Sequence, residues 1–395
     1  MHNNLSRKNM EISPSVTLAI TAKAKKMKAD GIDVISFGAG EPDFNTPAHI
    51  REAAIKAIEK GLTGYTASSG LPELKQAICH KLRTDNGLEY KPEHIVVSNG
   101  AKHSLYNALQ AICNPGDEVI VPCPYWVSYP ELVKLADAVP VLVETPEDNG
   151  FKYRIEDLEA NICEKTKAII LNSPNNPTGT VYTEDELKKI ADLAVRHGIY
   201  MISDEIYEKL IYEGKHISIA SLGPDIKELT IVVNGMSKAY AMTGWRIGYT
   251  ASNKTIADIM ANIQSHATSN PNTIAQYASI EAFKGPQEPI QEMVKAFDER
   301  RRYMVEKINS INGLSCRMPE GAFYVMVNIS KIIGNTINGF VIDSSMDFAE
   351  YLLDRAKVAV IPGAGFGTDN YIRLSYATSL DNIREGLERI EKALL

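Results

Sequence analysis

At 395 residues and a net charge of −7, the chain is long enough for two or three domains and carries no basic surplus suited to a nucleic-acid backbone. Five scattered cysteines without a CxxC pair exclude a disulfide scaffold, and eight histidines without an HExxH spacing argue against a bound metal. No run reaches the roughly eighteen apolar residues needed to cross a bilayer, and the opening MHNNLSRKNMEI has no apolar leader core, so the expected location is the cytoplasm.

In chain order, Lys23, Lys25, Lys26 and Lys28 form the first marked feature, a basic run followed by Asp30 and Asp33 that reads as a solvated helix face. GAGEPDF then follows Ile35, but Pro42 and Pro47 forbid the helix that a dinucleotide loop requires. From IVVSN (95–99) onward the pattern alternates. IVVSN precedes a helix over KHSLYNALQAI, EVIVPC is a strand, and AIILNS runs into Asn, Pro and Gly turn residues. EDELKKIADLAVRHG is an amphipathic helix, and IYMIS, TIVVN and IGYTA are strands. Such alternation predicts βαβ units and an α/β fold with a mainly parallel sheet covered by helices on both faces.

Strand ends in such a sheet are where sites form. IYMIS ends at Asp204, with Tyr207 three residues on. Asp204 suits either a helix N-cap for DEIYEKL or a carboxylate that keeps the ring nitrogen of pyridoxal phosphate protonated. TIVVN leads through Gly235 to Lys238, and Arg246 lies just before IGYTA. An ε-amine there can form an imine with an aldehyde cofactor, and the guanidinium can hold its phosphate.

Past residue 285 the pattern changes. KGPQEP interrupts the chain, a long polar helix begins near Ile290, and GLSCRMPEGAFYVMVNIS and VAVIPGAGFG read as strands in another setting. GAGFG is no dinucleotide loop, because a strand, TDNYIRLSYA, follows it. We expect a large domain over residues 46–285 and a smaller α+β domain made of residues 1–45 and 286–395.

NNPTG, SDEIYE and SKAYAMTGWRIGY, in that order, resemble the signature series of the class I, fold-type I aminotransferases. GAGEPDFNTP, GYTASSGLPELKQAI, SNGAKHSLYNAL, PYWVSYPE and YIRLSYA match the same family, in particular its bacterial aspartate and prephenate aminotransferase branch. The resemblance spans nearly the whole chain. It implies pyridoxal 5′-phosphate as cofactor, amino acids and 2-oxo acids as substrates, and a ping-pong transfer of the amino group. Lys238 resembles the lysine that carries the cofactor as a Schiff base and then moves the substrate's Cα proton. By the same resemblance Asp204 meets the ring nitrogen, Tyr207 and Asn176 the ring oxygen, and Trp126 stacks on the ring.

The resemblance further gives the phosphate to Arg246, Ser237 and the amides of Gly100, Ala101 and Lys102. Arg373 and the backbone of Gly40 correspond to the groups that take the substrate α-carboxylate. Tyr65 corresponds to a tyrosine that reaches the partner's cofactor phosphate, which implies a homodimer. Gly235 departs from the pattern, since more distant members often have a serine there. QSHATSNP offers Ser265 where some members place an arginine for the distal carboxylate of aspartate or glutamate. Lys102 is then the cation left for that carboxylate, against the alternative of a solvated lysine near the phosphate. Aspartate or glutamate is the expected substrate; a lyase on the same fold, or an aminotransferase of aromatic amino acids or prephenate, is the alternative.

Overall fold

The computed structural model describes residues 5–14 and 16–395. Its centre is a seven-stranded sheet made of β1 (Ile95–Ser98), β2 (Glu118–Cys123), β3 (Val139–Glu144), β4 (Thr166–Asn172), β5 (Tyr200–Asp204), β6 (Thr230–Gly235) and β7 (Gly248–Ala251). They stand in the order β1-β7-β6-β5-β4-β2-β3. Strands β6, β5, β4, β2 and β3 run parallel, while β7 is antiparallel to both β6 and β1. The expected parallel sheet is therefore present with one reversed strand, because β6 and β7 are joined by a loop of turns instead of a crossover helix.

Burial alternates along the strands in a way that calls for cover on both faces. Ile170, Ile202 and Ile231 share one apolar cluster with Leu105 and Ala108, whereas Ile169, Leu171 and Met201 share another with Leu187, Ile190 and Leu193. The helix Glu184–His197 shows how local sequence fixes such a cover. Thr183 caps the amide of Glu186, the Glu186 side chain returns to the amide of Thr183 at 2.7 Å, and left-handed Gly198 stops the helix.

A four-stranded antiparallel sheet forms from the C-terminal part, with strands β8 (Ser315–Cys316), β9 (Tyr324–Asn328), β10 (Ile361–Pro362) and β11 (Tyr371–Ser375) in the order β10-β11-β9-β8. Ile35 and Phe37 join an apolar cluster with Phe297, Phe323, Ile372 and Leu387, so the N-terminal arm packs on this C-terminal layer. The long helix Glu288–Ser310 begins beside Ile290, as the break at KGPQEP suggests. No helix among the described residues is long and apolar enough to cross a membrane.

Candidate active site

Parallel pairing brings the carboxyl ends of β4, β5 and β6 to one edge: Asn172 is in register with Asp204, and Asp204 with Val233. At that edge lies a cleft of about 690 Å³, lined by Lys238, Asp204, Tyr207, Asn176, Trp126, Ser237, Arg246, Ala101, Lys102, Gly40 and Arg373. All the cleft residues singled out from the sequence meet there except two. Gly100 sits just behind, as the N-cap of the helix Ala101–Ile112, and Tyr65 lies elsewhere on the surface, 92% exposed.

Lys238 follows β6 after two turn residues and donates from Nζ to the Gly40 carbonyl at 2.6 Å. Burial pushes its amine down to about 8, assisted by Arg246 and Arg373 and opposed by Glu41 and Asp204. A neutral, nucleophilic amine is thus within reach near neutral pH.

Asp204 is 4% exposed at the end of β5. Burial raises its carboxyl to about 6, and the donors it has do not fully offset that. They are the Tyr129 hydroxyl at 2.7 Å on Oδ2 and the Ile206 amide at 3.3 Å on Oδ1. No helix follows; residues 206–209 form turns, so Asp204 is a strand-end carboxylate and not a helix cap. Lys238 offsets this burial only from a distance and Asp204 makes no ion pair among the described residues; a buried carboxylate so placed is destabilising by itself, and a protonated ring nitrogen would supply a direct partner.

Arg373, 3% exposed on β11, donates to Asn176 Oδ1 at 3.0 Å and to the Gly38 carbonyl at 3.3 Å. Its Nε is buried with no partner, and the guanidinium lies 4.3 Å over the Tyr324 ring. The fork therefore keeps a donor for a carboxylate. Tyr207 and Tyr324 exchange a hydroxyl hydrogen bond at 3.0 Å beneath it. Because Asn176 Oδ1 accepts from Arg373, its amide hydrogens remain available to an acceptor in the cleft.

The anion end is built on backbone proximity. Arg246 adopts a left-handed conformation (φ 57°) that turns its guanidinium back onto Thr243 and Asn99 carbonyls, at 2.9 and 3.3 Å. A Cβ on Gly100 would come 2.2 Å from Arg246 Nη2, and one on Gly248 would come 2.3 Å from the Ala101 amide nitrogen. Only glycines let the arginine and the helix N-terminus converge there, and open amides beside a guanidinium suit a phosphate. Gly235 is explained by the same crowding. It is paired with Gly248, and a Cβ would lie 2.8 Å from the Ile247 carbonyl, so no serine fits. At Gly40 a Cβ would only touch Tyr324 Oη at 3.6 Å, so glycine is not sterically required there. Lys102 Nζ stands 4.9 Å over the Trp126 ring, and burial together with Arg246 lowers its pKa.

Sequence reasoning missed Tyr129, Tyr324 and Gly38. Tyr129 follows Trp126 by three residues in PYWVSYPE, a visible spacing whose contact with Asp204 depends on strand order.

Similarity to known proteins agrees with this geometry. Residues 32–390 match the family model for aminotransferases of class I and II. The chain belongs to that family. This aminotransferase is 54% identical over 389 residues to the aspartate aminotransferase of Bacillus sp. (strain YM-2), with 98% of each chain covered. It is 47% identical to a probable aspartate/prephenate aminotransferase of Aquifex aeolicus, over 100% of this chain and 99% of the relative. Among solved structures, the Thermus thermophilus aspartate aminotransferase with maleate superimposes with a TM-score of 0.94 at 44% identity, covering 99% of this chain and 100% of that one. The Rhizobium meliloti aspartate aminotransferase gives 0.96, also at 44% identity, with 99% and 98% covered.

Proposed function

We propose that the chain is an aspartate aminotransferase that uses pyridoxal 5′-phosphate and exchanges amino groups between dicarboxylic amino acids and 2-oxo acids. The observation that carries this reading is the convergence, in one cleft, of an amine lowered to about 8, an uncompensated buried Asp204 and an Arg373 with an unpartnered Nε. The names of the relatives and the dicarboxylate maleate in the Thermus structure support the substrate class.

When bound, the cofactor supplies an aldehyde and an electron-withdrawing ring. Arg246, Ser237 and the amides of Gly100, Ala101 and Lys102 would hold its phosphate, and Trp126 would cover one ring face. Asp204 would hold the ring-nitrogen proton, with Tyr129 fixing the carboxylate. Tyr207 and the Asn176 amide would donate to the ring oxygen. Lys238 would hold the cofactor through its amine and would move the proton at the substrate Cα. Arg373 orients the α-carboxylate, and Lys102 meets the distal one.

Exposed Tyr65 supports a homodimer in which it reaches the partner's phosphate, and the packing of Ile35 and Phe37 with the C-terminal layer supports a small domain of residues 1–45 and 286–395 beside a large one of 46–285. To test the function, cofactor-loaded protein is mixed with single amino acids and the visible band is followed. Aspartate and glutamate should convert the cofactor to its amine form fastest; faster conversion by aromatic amino acids would overturn the specificity, and pyruvate or ammonia release without an amine-form cofactor would indicate a lyase.

A further inference from the structure

The basic run of the N-terminal helix is not one uniform solvated face. In the helix Val16–Ala29, Thr21, Ala24, Lys25 and Lys28 recur at the three- and four-residue spacing of one helical face, and all four line the mouth of the cleft. Lys23 and Lys26 do not line it, and Lys23 Nζ lies 4.0 Å from Asp354. Lys25 and Lys28 are exposed and have no ion pair among the described residues. The acidic residues that follow them in sequence do not neutralise them: Asp33 is bound by Arg389, and Asp30 lies outside the cleft. The helix itself carries no acidic residue. Only Glu41 and Asp204 bring negative charge to the cleft lining, and Glu41 accepts from Thr243 Oγ1 at 2.8 Å. A protein of net charge −7 thus places two unpaired cations at the entrance of its one described cleft of this size.

We propose that Lys25 and Lys28 are specificity-determining residues that draw in the more negative substrates, raising the capture rate of dicarboxylic 2-oxo acids, which are dianions, over monocarboxylic ones, and of aspartate and glutamate, which carry a net charge of about −1, over neutral amino acids. A cleft with cations at its mouth and low-dielectric walls focuses the field outward, and a dianion feels about twice the attraction of a monoanion. The contribution belongs to encounter, so it appears in kcat/KM and leaves kcat alone. It is screened by salt, because the Debye length falls from about 30 Å at 0.01 M to about 8 Å at 0.15 M. This inference rests on the aminotransferase reading above and adds to it a second, long-range layer of substrate selection outside the contact residues.

The test uses full-length, cofactor-loaded protein and two acceptors, 2-oxoglutarate and phenylpyruvate, at about 0.01 M and about 0.15 M salt. In the wild-type protein, kcat/KM for 2-oxoglutarate should fall with salt more steeply than for phenylpyruvate. The Lys25→Gln/Lys28→Gln protein should lose about three- to thirtyfold in kcat/KM for 2-oxoglutarate at low salt, lose only about the square root of that factor, roughly two- to fivefold, for the monoanion phenylpyruvate, show a weaker salt dependence, and change kcat by less than about twofold. A Lys23→Gln/Lys26→Gln protein makes the same charge change on the face of the helix away from the cleft and should lose clearly less for 2-oxoglutarate at about 0.01 M salt and behave as wild type at about 0.15 M. Equal losses for both acceptors, equal losses in the Lys23/Lys26 variant, or no loss at all would overturn the proposal. A wild-type protein that transaminates neither acceptor from any amino acid would instead overturn the function on which it rests.

Discussion

The five residues Asp204–Glu208 present two opposite faces, and they differ in how completely their polar groups are satisfied. Glu205 and Glu208 turn away from the cleft. Glu205 accepts from Ser203 at 2.9 Å, Ser218 at 2.6 Å and pairs with His216 at 3.0 Å. Glu208 is bound by Lys81 and by Asn86 Nδ2 at 3.0 Å; burial alone would raise its carboxyl, but Lys81, His216 and Asn86 together hold it at about 2. The Glu205, Glu208 and His216 ligand atoms lie within 4.8 Å of one another, with the Lys81 ammonium against Glu208. Asp204 and Tyr207, each one residue before a glutamate of the rear face, face the cleft, where the Asp204 carboxyl stays raised because it has no ion-pair partner among the described residues and Lys238 offsets its burial only from a distance. One face anchors the segment; the other keeps charge unmatched until a ligand arrives. A local structure can hold such unmatched groups only because the rear is over-determined.

The largest expected effect is on the anchored face. Lys81→Met should remove the partner of a buried carboxylate and destabilise the protein by about 3–5 kcal/mol, read as a shift of the denaturation midpoint. A loss under about 1 kcal/mol would show that the rear network is ordinary solvated charge.

On the cleft face the sign reverses. Asp204 is raised from its unfolded value of about 3.9 to about 6, so the folded chain binds the proton more tightly and stability falls as pH rises between those values. In cofactor-free protein Asp204→Asn should therefore add about 2–3 kcal/mol at pH 7 and almost nothing near pH 4, while abolishing transamination. Thermal unfolding of the cofactor-free pair at both pH values decides it; a variant less stable at pH 7 would contradict the picture of an unmatched charge.

Arg373→Leu should cost about 1.5–3 kcal/mol in kcat/KM for all amino acids alike while cofactor binding survives. Loss of cofactor affinity with unchanged substrate dependence would move Arg373 out of the substrate site. Smaller and more selective, Lys102→Ala should weaken aspartate by about 1.5–3 kcal/mol and spare aromatic amino acids. Equal losses would return Lys102 to the cofactor.

Much of this was legible in the chain because the parallel strands are continuous apolar runs ending in turn residues, as at Ile202–Asp204 and Val232–Gly235. Strand ends in a parallel sheet converge, so the order of the motifs implied a common edge. The reversal of β7 was not legible, since GYTA reads alike in either direction and the deciding factor is the turn-rich loop before it. Likewise the pairing of Tyr129 with Asp204 joins residues 75 apart, and the rear clamp of Lys81 on Glu208 depends on how the helix Pro72–Asn86 lies against the loop after β5. Composition placed the N-terminal lysines on a solvated face; helical periodicity, once the helix is docked, divides them between cleft and solvent.

The central claim is that Lys238, with its amine lowered to about 8, is the residue that carries the cofactor. Borohydride reduction of the cofactor-loaded protein followed by peptide mapping measures this directly. The label should fall on Lys238 alone, and loading of cofactor-free protein should quicken as pH rises through about 8, where the amine loses its proton. A label on Lys102 or any other lysine, with Lys238 unmodified, would contradict the account.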